Sequence, residues 1–562
     1  MHSRRVQAGR ALSVQGVLPV LAWTIVAALF AEATALADAR FEVDASSPGR
    51  TLPNVQKMLV KWQLKGDDFA AVRRNAEFDV LEFAEYAEIM GATGGNPERD
   101  MFKAPENREV HDDYDFSRLV SGCRALLKLG LKPYLKLGNV PQKLSSDIDF
   151  GRFKMNIRPP VDYDAYGRYM AACAKALLDA FGRDELLKWR FAVLTEFENA
   201  GWFRDASGGV EETFAAYCRL YEVTVDAFSR TVSPELAFGA HAMACAEGLW
   251  DERRFIRHAA EHRLPLKFVT ASFYDMQPDK FNRRATLPRT IAHLRNAAES
   301  AGLTNLVYGV DEGRVLFGLA KGASGNALPM RIVGDTYQAA YDARIVKQLF
   351  DSNADYFAAW GYLSGPDTWF EGLPSVSFHV ARETAKFKGM QRLPVKSAGG
   401  GVRAGIEADA VAALSPDGET LRIMAYAFTN RLFSAGSTTA KIAVKVPARW
   451  RGREVAVTRR RIDDDANWFD EWRKERNRRG IGDERFSWSP DDPAPCHAHG
   501  LLSSADKDLF RGKIEPKLRD CARVKPMSWK ERLDADGTLS LICELADNSV
   551  VFFDVGVSPA AE

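Results

Sequence analysis

From about residue 55 to residue 390, short apolar runs alternate with stretches in which apolar residues recur every three or four positions. The first pattern fits buried strands and the second amphipathic helices, so the alternation predicts an α/β protein with parallel strands covered by helices. The clearest unit begins at Asp115. Leu119, Val120, Cys123, Leu126 and Leu127 share one helical face, Gly130 ends the helix, and Pro133-Tyr134-Leu135-Lys136-Leu137 follows as a strand. A second helix carries Tyr166, Met170, Cys173, Leu177 and Phe181, stops at Gly182, and leads into a strand from Trp189 to Leu194. Helices over 214–228, 251–260, 290–298 and 336–350 then precede strands over 236–238, 268–271, 306–310 and 356–359. Six such strands, with one or two more before Asp115, close most economically as a (β/α)8 TIM barrel. An open doubly wound sheet would want a Gly-rich phosphate turn after its first strand; Gly94-Gly95 is the nearest candidate and reads as a loop.

After residue 395 the texture changes. Ser397-Ala398-Gly399-Gly400-Gly401 reads as a linker, and strand-like runs follow over 411–414, 421–428, 442–446, 455–460, 539–545 and 550–555, with turn signals at Asp417-Gly418 and Asp536-Gly537. This second region is expected to be a β-sandwich. The chain therefore divides into a segment 1–37, a barrel over 38–395 whose first residues are also candidates for the β-domain, and an accessory β-sandwich over 396–562.

Charge narrows the function. Lys and Arg total 76 against 75 Asp and Glu, so there is no basic excess of the kind that holds nucleic acid. At the N-terminus Arg4, Arg5 and Arg10 precede an apolar run from Val17 to Phe30 and then Ala35-Leu36-Ala37, the layout of a secretory signal with Asp38 as the first mature residue. Export to the periplasm or medium is expected, with no stable membrane span, because the apolar run falls short of the roughly 20 residues a spanning helix needs. Of the seven cysteines, Cys123, Cys173 and Cys218 fall on apolar helical stripes and read as small hydrophobes. A pairing among Cys496, Cys521 and Cys543 stays open. Cys496-His497-Ala498-His499 matches no zinc spacing and reads as a surface loop.

Enzymes on this barrel carry their chemistry at the C-terminal ends of the strands. Two acids stand there. The strand ending Phe191-Ala192-Val193-Leu194 runs into Thr195-Glu196-Phe197-Glu198-Asn199, and the strand 306–310 runs into Asp311-Glu312. Three βα units of about 35 to 40 residues separate them, which places them on the fourth and seventh strands, across the barrel mouth. A facing pair of carboxyl groups is what glycosidic cleavage needs, one to protonate the leaving oxygen and one to attack the anomeric carbon. Taken singly, each acid also reads as an ordinary N-cap.

Several segments resemble glycoside hydrolase family 39, which contains β-xylosidases and α-L-iduronidases. Tyr114-Asp115-Phe116-Ser117 and the later run Gly130 to Pro141 are similar to its third-strand region, and Trp189 to Glu196 aligns without a gap on a Trp-x-Phe-Glu-Val-Trp-Asn-Glu motif. Trp202-Phe203 has a counterpart, Asp311-Glu312 falls at a Thr-Glu-Trp motif, and Arg461-Ile462-Asp463, Asn467 and Trp472 resemble a signature of the family's C-terminal β-domain. The resemblance implies a retaining O-glycosidase with Glu196 as acid/base and Glu312 as nucleophile, working by double displacement without metal or organic cofactor. The chain also departs from the family. Thr195 stands where the family has Asn, Gly239-Ala240-His241-Ala242 stands at Gly-Gly-Pro-Ala, and Thr270-Ala271-Ser272-Phe273-Tyr274 replaces Ser-x-His-x-Tyr. These departures leave the sugar, the linkage and the xyloside assignment open.

Around the two acids, Thr195, Tyr274, His241, Trp360, Asn139, Glu198 and Asn199 are the candidate substrate-binding residues. Tyr274 and His241 are placed to hydrogen-bond a carboxylate, Trp360 to stack on a sugar face, and Glu198 rivals Glu196 for the acid/base role because it shares strand parity. The leading expectation is a retaining glycoside hydrolase whose partner is a poly- or oligosaccharide. The alternatives are a catalytically inactive carbohydrate-binding barrel and a glycosidase for a furanoside, uronide or exopolysaccharide.

Overall fold

The computed structural model describes residues 38–61, 80–96, 100–151, 153–243, 248–275, 286–315, 336–359, 373–397, 405–431, 434–468, 471, 474–475, 478, 510–533 and 536–557. The signal-like segment 1–37, Trp360, Trp472, Cys496 and the Cys496-to-His499 run lie outside the described residues.

Eight parallel strands form one sheet in sequence order: β2 (Met58–Lys61), β3 (Tyr86–Ile89), β4 (Lys132–Leu137), β5 (Arg190–Val193), β6 (Ala237–Ala242), β7 (Phe268–Asp275), β8 (Val307–Val315) and β9 (Phe357–Ala359). The ring closes where the Phe357 amide donates to the Val55 carbonyl at 3.0 Å. β5 and β8 are thus the fourth and seventh barrel strands. Helices α1 (Ser117–Lys128), α2 (Tyr163–Phe181), α3 (Val210–Thr231), α4 (Arg253–Glu261), α5 (Leu287–Ser300) and α6 (Thr336–Asp351) intervene, and α7 (Val376–Ala385) follows. Local chemistry starts and stops them. The Asp162 carboxylate accepts from the Asp164 and Ala165 amides at the start of α2, and Gly182, with φ +78°, ends it, a conformation an L side chain rarely adopts. Thr286 caps α5 and Ser375 caps α7 in the same way. At the N-terminal end of the barrel, Asp355 joins Lys57 (2.6 Å) and Arg190 (2.9 Å), a paired charge group that plugs the floor.

The second region forms two sheets. β10 (Gln391–Leu393), β12 (Glu407–Leu414), β13 (Thr420–Phe428), β18 (Ser549–Val557), β15 (Glu454–Ile462) and β16 (Met527–Arg532) form a six-stranded sheet in that spatial order. Four strands make the other: β11 (Val395–Ser397), β1 (Asp38–Asp44), β14 (Ser437–Lys445) and β17 (Thr538–Ala546). β1 runs parallel to β14 and antiparallel to β11, so residues just after the signal-like segment pair with strands some 400 positions away. The burial of each strand explains its sequence. β12 and β13 read as nearly continuous apolar runs because one face packs on the four-stranded sheet and the other on the barrel, where Val411, Met424, Tyr426, Phe428 and Phe552 join the barrel core. β14 and β17 alternate buried with exposed positions, as strands wetted on one side do.

Polar contacts lock the regions together. Arg344 of α6 pairs with Glu407 (2.8 Å), Tyr337 donates to Asn430 (2.9 Å), and Arg422 reaches both Glu383 of α7 and Asp554. The buried His379 ring hydrogen-bonds the Ala522 carbonyl at 2.6 Å. Cys521 and Cys543 are free thiols, and Cys123, Cys173 and Cys218 are buried. Among the described residues no helix is long and apolar enough to cross a membrane.

Candidate active site

The C-terminal mouth of the barrel collects the acids through two local irregularities. On β8 the register against β7 pairs Ala271 with Val310 but Ser272 with Glu312, and against β9 it pairs Val310 with Phe357 but Gly313 with Ala359. Both neighbours therefore see one extra residue on β8 between Val310 and Gly313. In a regular strand Asp311 and Glu312 would point to opposite faces. The bulge re-aims them so that both serve the inside of the barrel, Asp311 below and Glu312 at the mouth. At the end of β5, Leu194 (φ +66°) and Glu196 (φ +44°) both adopt the left-handed region that branched or bulky side chains avoid. That double turn ends the strand's alternation and brings Glu196 to Ser272 of β7.

Each acid is held by named donors. The Ser272 hydroxyl donates to Glu196 Oε1 at 2.5 Å, and Asn199 Nδ2 donates to Glu196 Oε2 at 2.6 Å. The Asn199 carbonyl oxygen in turn accepts from the Gly201 amide at 2.8 Å, which fixes the amide's orientation. Tyr274 donates its phenol proton to Glu312 Oε1. Glu196 and Glu312 keep 7% and 9% of their surface, so they are sheltered yet reach solvent.

Ser272 and Tyr274 are two residues apart on β7, and each grips one acid. Both carboxyl groups are therefore gripped from the same strand at the barrel mouth, and a facing pair of carboxyls is the arrangement that cleaves glycosidic bonds.

Beneath the pair lies a fully buried charge cluster. Lys136 of β4 contacts Glu88 of β3, Asp311 Oδ2 (3.2 Å) and His241 Nδ1. Tyr134 donates to Asp311 Oδ2 at 2.7 Å and Tyr356 donates to Oδ1. Burial opposes charge on every member, and proximity decides which keep it. Burial pushes the Glu88 carboxyl well above its ordinary range, outweighing Lys136. Asp311 feels the same burial, but Lys136 first, then His241 and the two tyrosine hydroxyls, hold it down at about 2. Burial alone would depress Lys136; Asp311 and Glu88 reverse that and raise it. Burial, then the Lys136 charge, drives His241 well below its usual value. Within the cluster, burial and mutual charge thus push Glu88 up and His241 down while Lys136 and Asp311 sustain one another as an ion pair.

The remaining candidates fall in different places. His241, fully buried, reaches Glu196 only through Ser272, whose Oγ lies 3.0 Å from its Nε2. Thr195 is 2% exposed and its hydroxyl has no hydrogen-bond partner among the described residues. Asn139 donates to the Trp202 carbonyl at 2.7 Å, and Trp202 stacks on Phe153 with ring centroids 4.4 Å apart. Glu198 lies apart from the acid pair: it is fully buried and its carboxylate accepts from the Met243 amide at 2.7 Å. The parity that makes it a rival of Glu196 holds only for an extended backbone, which the left-handed turn interrupts. Burial, then the neighbouring Glu252, raise its carboxyl well above the ordinary range.

Sequence reasoning assigned no role to Ser272, Lys136, Glu88, Asp311, Tyr134 or Tyr356. The signal was present for one of them, since a lysine inside the apolar strand Tyr134 to Leu137 needs a buried counter-charge. Glu88, His241 and Asp311 bring ligand atoms close enough for a metal ion, but the Lys136 ammonium already contacts all three. Glu222 with His258 and His262, and Asp251 with Glu252 and His293, form two further groups with ligand atoms in reach, away from the acid pair.

The family model described as Glycosyl hydrolases family 39 matches residues 99–398. A β-xylosidase of Geobacillus stearothermophilus is 23% identical over 282 residues, 48% of this chain and 52% of that protein. An α-1,4-L-rhamnosidase of Formosa agariphila is 23% identical over 232 residues, 41% of this chain and 44% of that protein. The match therefore spans about half the length of these curated relatives. Among solved structures, a GH39 enzyme from Xanthomonas axonopodis pv. citri superposes with a TM-score of 0.63 at 15% identity, covering 92% of this chain and 97% of the other, a likeness of fold.

Proposed function

The chain belongs to glycosyl hydrolases family 39, whose model matches more than half of its residues, and we propose that it is a retaining glycoside hydrolase with Glu196 as acid/base and Glu312 as nucleophile. The observation that supports this reading is the grip of one strand on both acids: Ser272 of β7 donates to Glu196 and Tyr274 of β7 donates to Glu312.

In the first step Glu196 protonates the glycosidic oxygen while Glu312 attacks the anomeric carbon and forms a glycosyl-enzyme ester. In the second step Glu196, now a carboxylate, takes a proton from water as that water displaces Glu312. The Tyr274 hydrogen bond favours the ionised nucleophile. Thr195 supplies a buried, unpartnered hydroxyl next to the acid/base, and a sugar hydroxyl would satisfy it. The curated relatives are described as acting on different sugars, a xyloside and an L-rhamnoside. The proposal accordingly stops at a poly- or oligosaccharide. Export belongs to the same proposal and is supported by the N-terminal signal pattern.

The test is turnover of a panel of aryl glycosides and polysaccharides, followed by trapping with the matching 2-fluoro glycoside and peptide mass mapping. A label on Glu312, together with loss of turnover in Glu196→Gln that is greatest for poor leaving groups, is expected. A label elsewhere removes the nucleophile assignment, and binding without turnover on every substrate would replace the enzyme by a carbohydrate-binding barrel.

A further inference from the structure

Lys136, His241, Ser272 and Glu196 stand in line across four strands or strand ends of the barrel, each in contact with the next. The direction of that line is fixed by its first member. An ammonium has three donors and no acceptor, so the ring nitrogen facing Lys136 must accept. Nδ1 of His241 is that atom, which leaves its proton on Nε2. Nε2–H then donates to Ser272 Oγ at 3.0 Å. With its oxygen occupied as acceptor, Ser272 turns its own proton to Glu196 Oε1 at 2.5 Å. Asn199 donates to the other oxygen, so both oxygens of Glu196 accept from the protein.

We propose that His241 and Ser272 are positioning residues that act through Glu196: Lys136 imposes one tautomer on His241, and the resulting one-way chain keeps the Ser272 proton on the carboxyl group. This rests on the acid/base reading of Glu196 given above. Two consequences follow from the chemistry. A hydrogen bond donated to a carboxylate favours its ionised form, so loss of the Ser272 hydroxyl is expected to favour the protonated acid. Because Ser272 and Asn199 each occupy a lone pair, the acid proton resides on a lone pair they leave free and is offered to the leaving oxygen. His241 suits this task because it stays uncharged: burial and Lys136 keep it neutral through the working range, and the chain does not reverse.

Among the described residues, the other charged and titratable groups around Glu196 come from the neighbouring strands and its own loop. They are Glu88 on β3, Lys136 on β4, Glu198 on its own loop, His241 on β6, Tyr274 on β7, and Asp311 and Glu312 on β8. Lys136 is balanced by Asp311, Glu198 is turned to Met243, and Tyr274 is bound to Glu312, so removing the Ser272 hydroxyl leaves each of these contacts in place. His241 and Ser272 also stand at two of the positions where the sequence departs from the family pattern it resembles.

The experiment is the pH profile of kcat/KM on an aryl glycoside with a poor leaving group, for the full-length protein and for Ser272→Ala, Ser272→Thr, His241→Phe and Glu196→Gln. Ser272→Ala is expected to move the alkaline limb up by about one pH unit with the acid limb unmoved, since one charge-assisted hydrogen bond is lost. Ser272→Thr keeps the hydroxyl and is expected to restore the wild-type limb. His241→Phe frees Ser272 to rotate and is expected to give a smaller shift in the same direction. Coincident limbs for wild type and Ser272→Ala, or a limb displaced equally in the Thr and Ala variants, would overturn the chain while leaving Glu196 as acid/base. An alkaline limb that survives in Glu196→Gln would overturn the acid/base reading itself and the chain with it. Ser272→Ala removes a single atom, and native-like melting of the purified variant certifies the comparison.

Discussion

Replacing Lys136 by Met removes the cation that, among the described residues, contacts both Asp311 and Glu88, at a position with no solvent exposure. The side chain is nearly isosteric, so packing is kept and the effect is electrostatic. Asp311 then keeps its two tyrosine donors but faces burial without a counter-charge. Breaking one side of a buried ion pair costs about 3 to 5 kcal/mol. At about 2 to 4 °C per kcal/mol, and toward the low end for a unit this long, the apparent melting temperature should fall by roughly 6 to 10 °C at pH 7. The pH dependence supplies a signature. In the wild type Asp311 is depressed to about 2, so its contribution is present above the unfolded value and is lost only as pH falls through about 2. In Lys136→Met burial dominates and Asp311 is protonated more readily folded than unfolded, so the variant gains stability as pH falls. The gap between the two proteins should narrow from pH 8 to pH 5. Lys136→Met/Asp311→Asn removes both charges and should recover part of the loss, giving a favourable coupling in the double-mutant cycle. Differential scanning calorimetry from pH 5 to pH 8 measures all of this, each transition read separately because the protein has two packed regions. A loss below about 1 kcal/mol, or a gap that widens toward acid, would refute the charge assignment.

Other predictions follow from single contacts. Tyr274→Phe deletes the hydrogen bond to Glu312 and should lower kcat about 10- to 100-fold, the worth of one hydrogen bond to a charged group, with little change in melting temperature; unchanged kcat would remove the tyrosine from the site. His379 is buried at the seam with the β-region and, chiefly through burial, is depressed to about 4, so its neutral form stabilises the fold. A depressed histidine binds its proton more readily unfolded, and stability should fall as pH drops from about 6.5 toward 4, by up to about 3 kcal/mol. His379→Gln should flatten that slope in thermal melts, and an unchanged slope would reassign the acid sensitivity. Glu198→Gln keeps the buried side chain's size and an acceptor for the Met243 amide and should leave kcat within a few fold, whereas Glu196→Gln should not; equal losses would bring Glu198 back as a chemical participant.

The alternation of apolar runs with helical stripes carried the barrel because strand and helix periodicities are properties of neighbouring residues, and Gly182, Asp162 and Ser375 act on the turns beside them. For the same reason the two strand-end acids were visible: their placement needs only the order of the strands. The residues of β1 stood as candidates for the β-domain but were not read as a strand, because its partners, β11 and β14, lie at the other end of the chain and a seven-residue alternating segment means little without them. The neighbours of the acids were hidden more deeply. Ser272 meets Glu196 across 76 positions and Tyr134 meets Asp311 across 177. Nothing local marks a serine or tyrosine as a donor to a carboxylate so far along the chain. The bulge that sends Asp311 and Glu312 to the same side of β8 is likewise a statement about two neighbouring strands, and strand parity read from the sequence assigns the opposite. The sequence by itself determined which residue types stand at the strand ends, since that depends on period and order alone. Tertiary structure decided which of them are charged and which way their protons point, since burial and through-space contact set both.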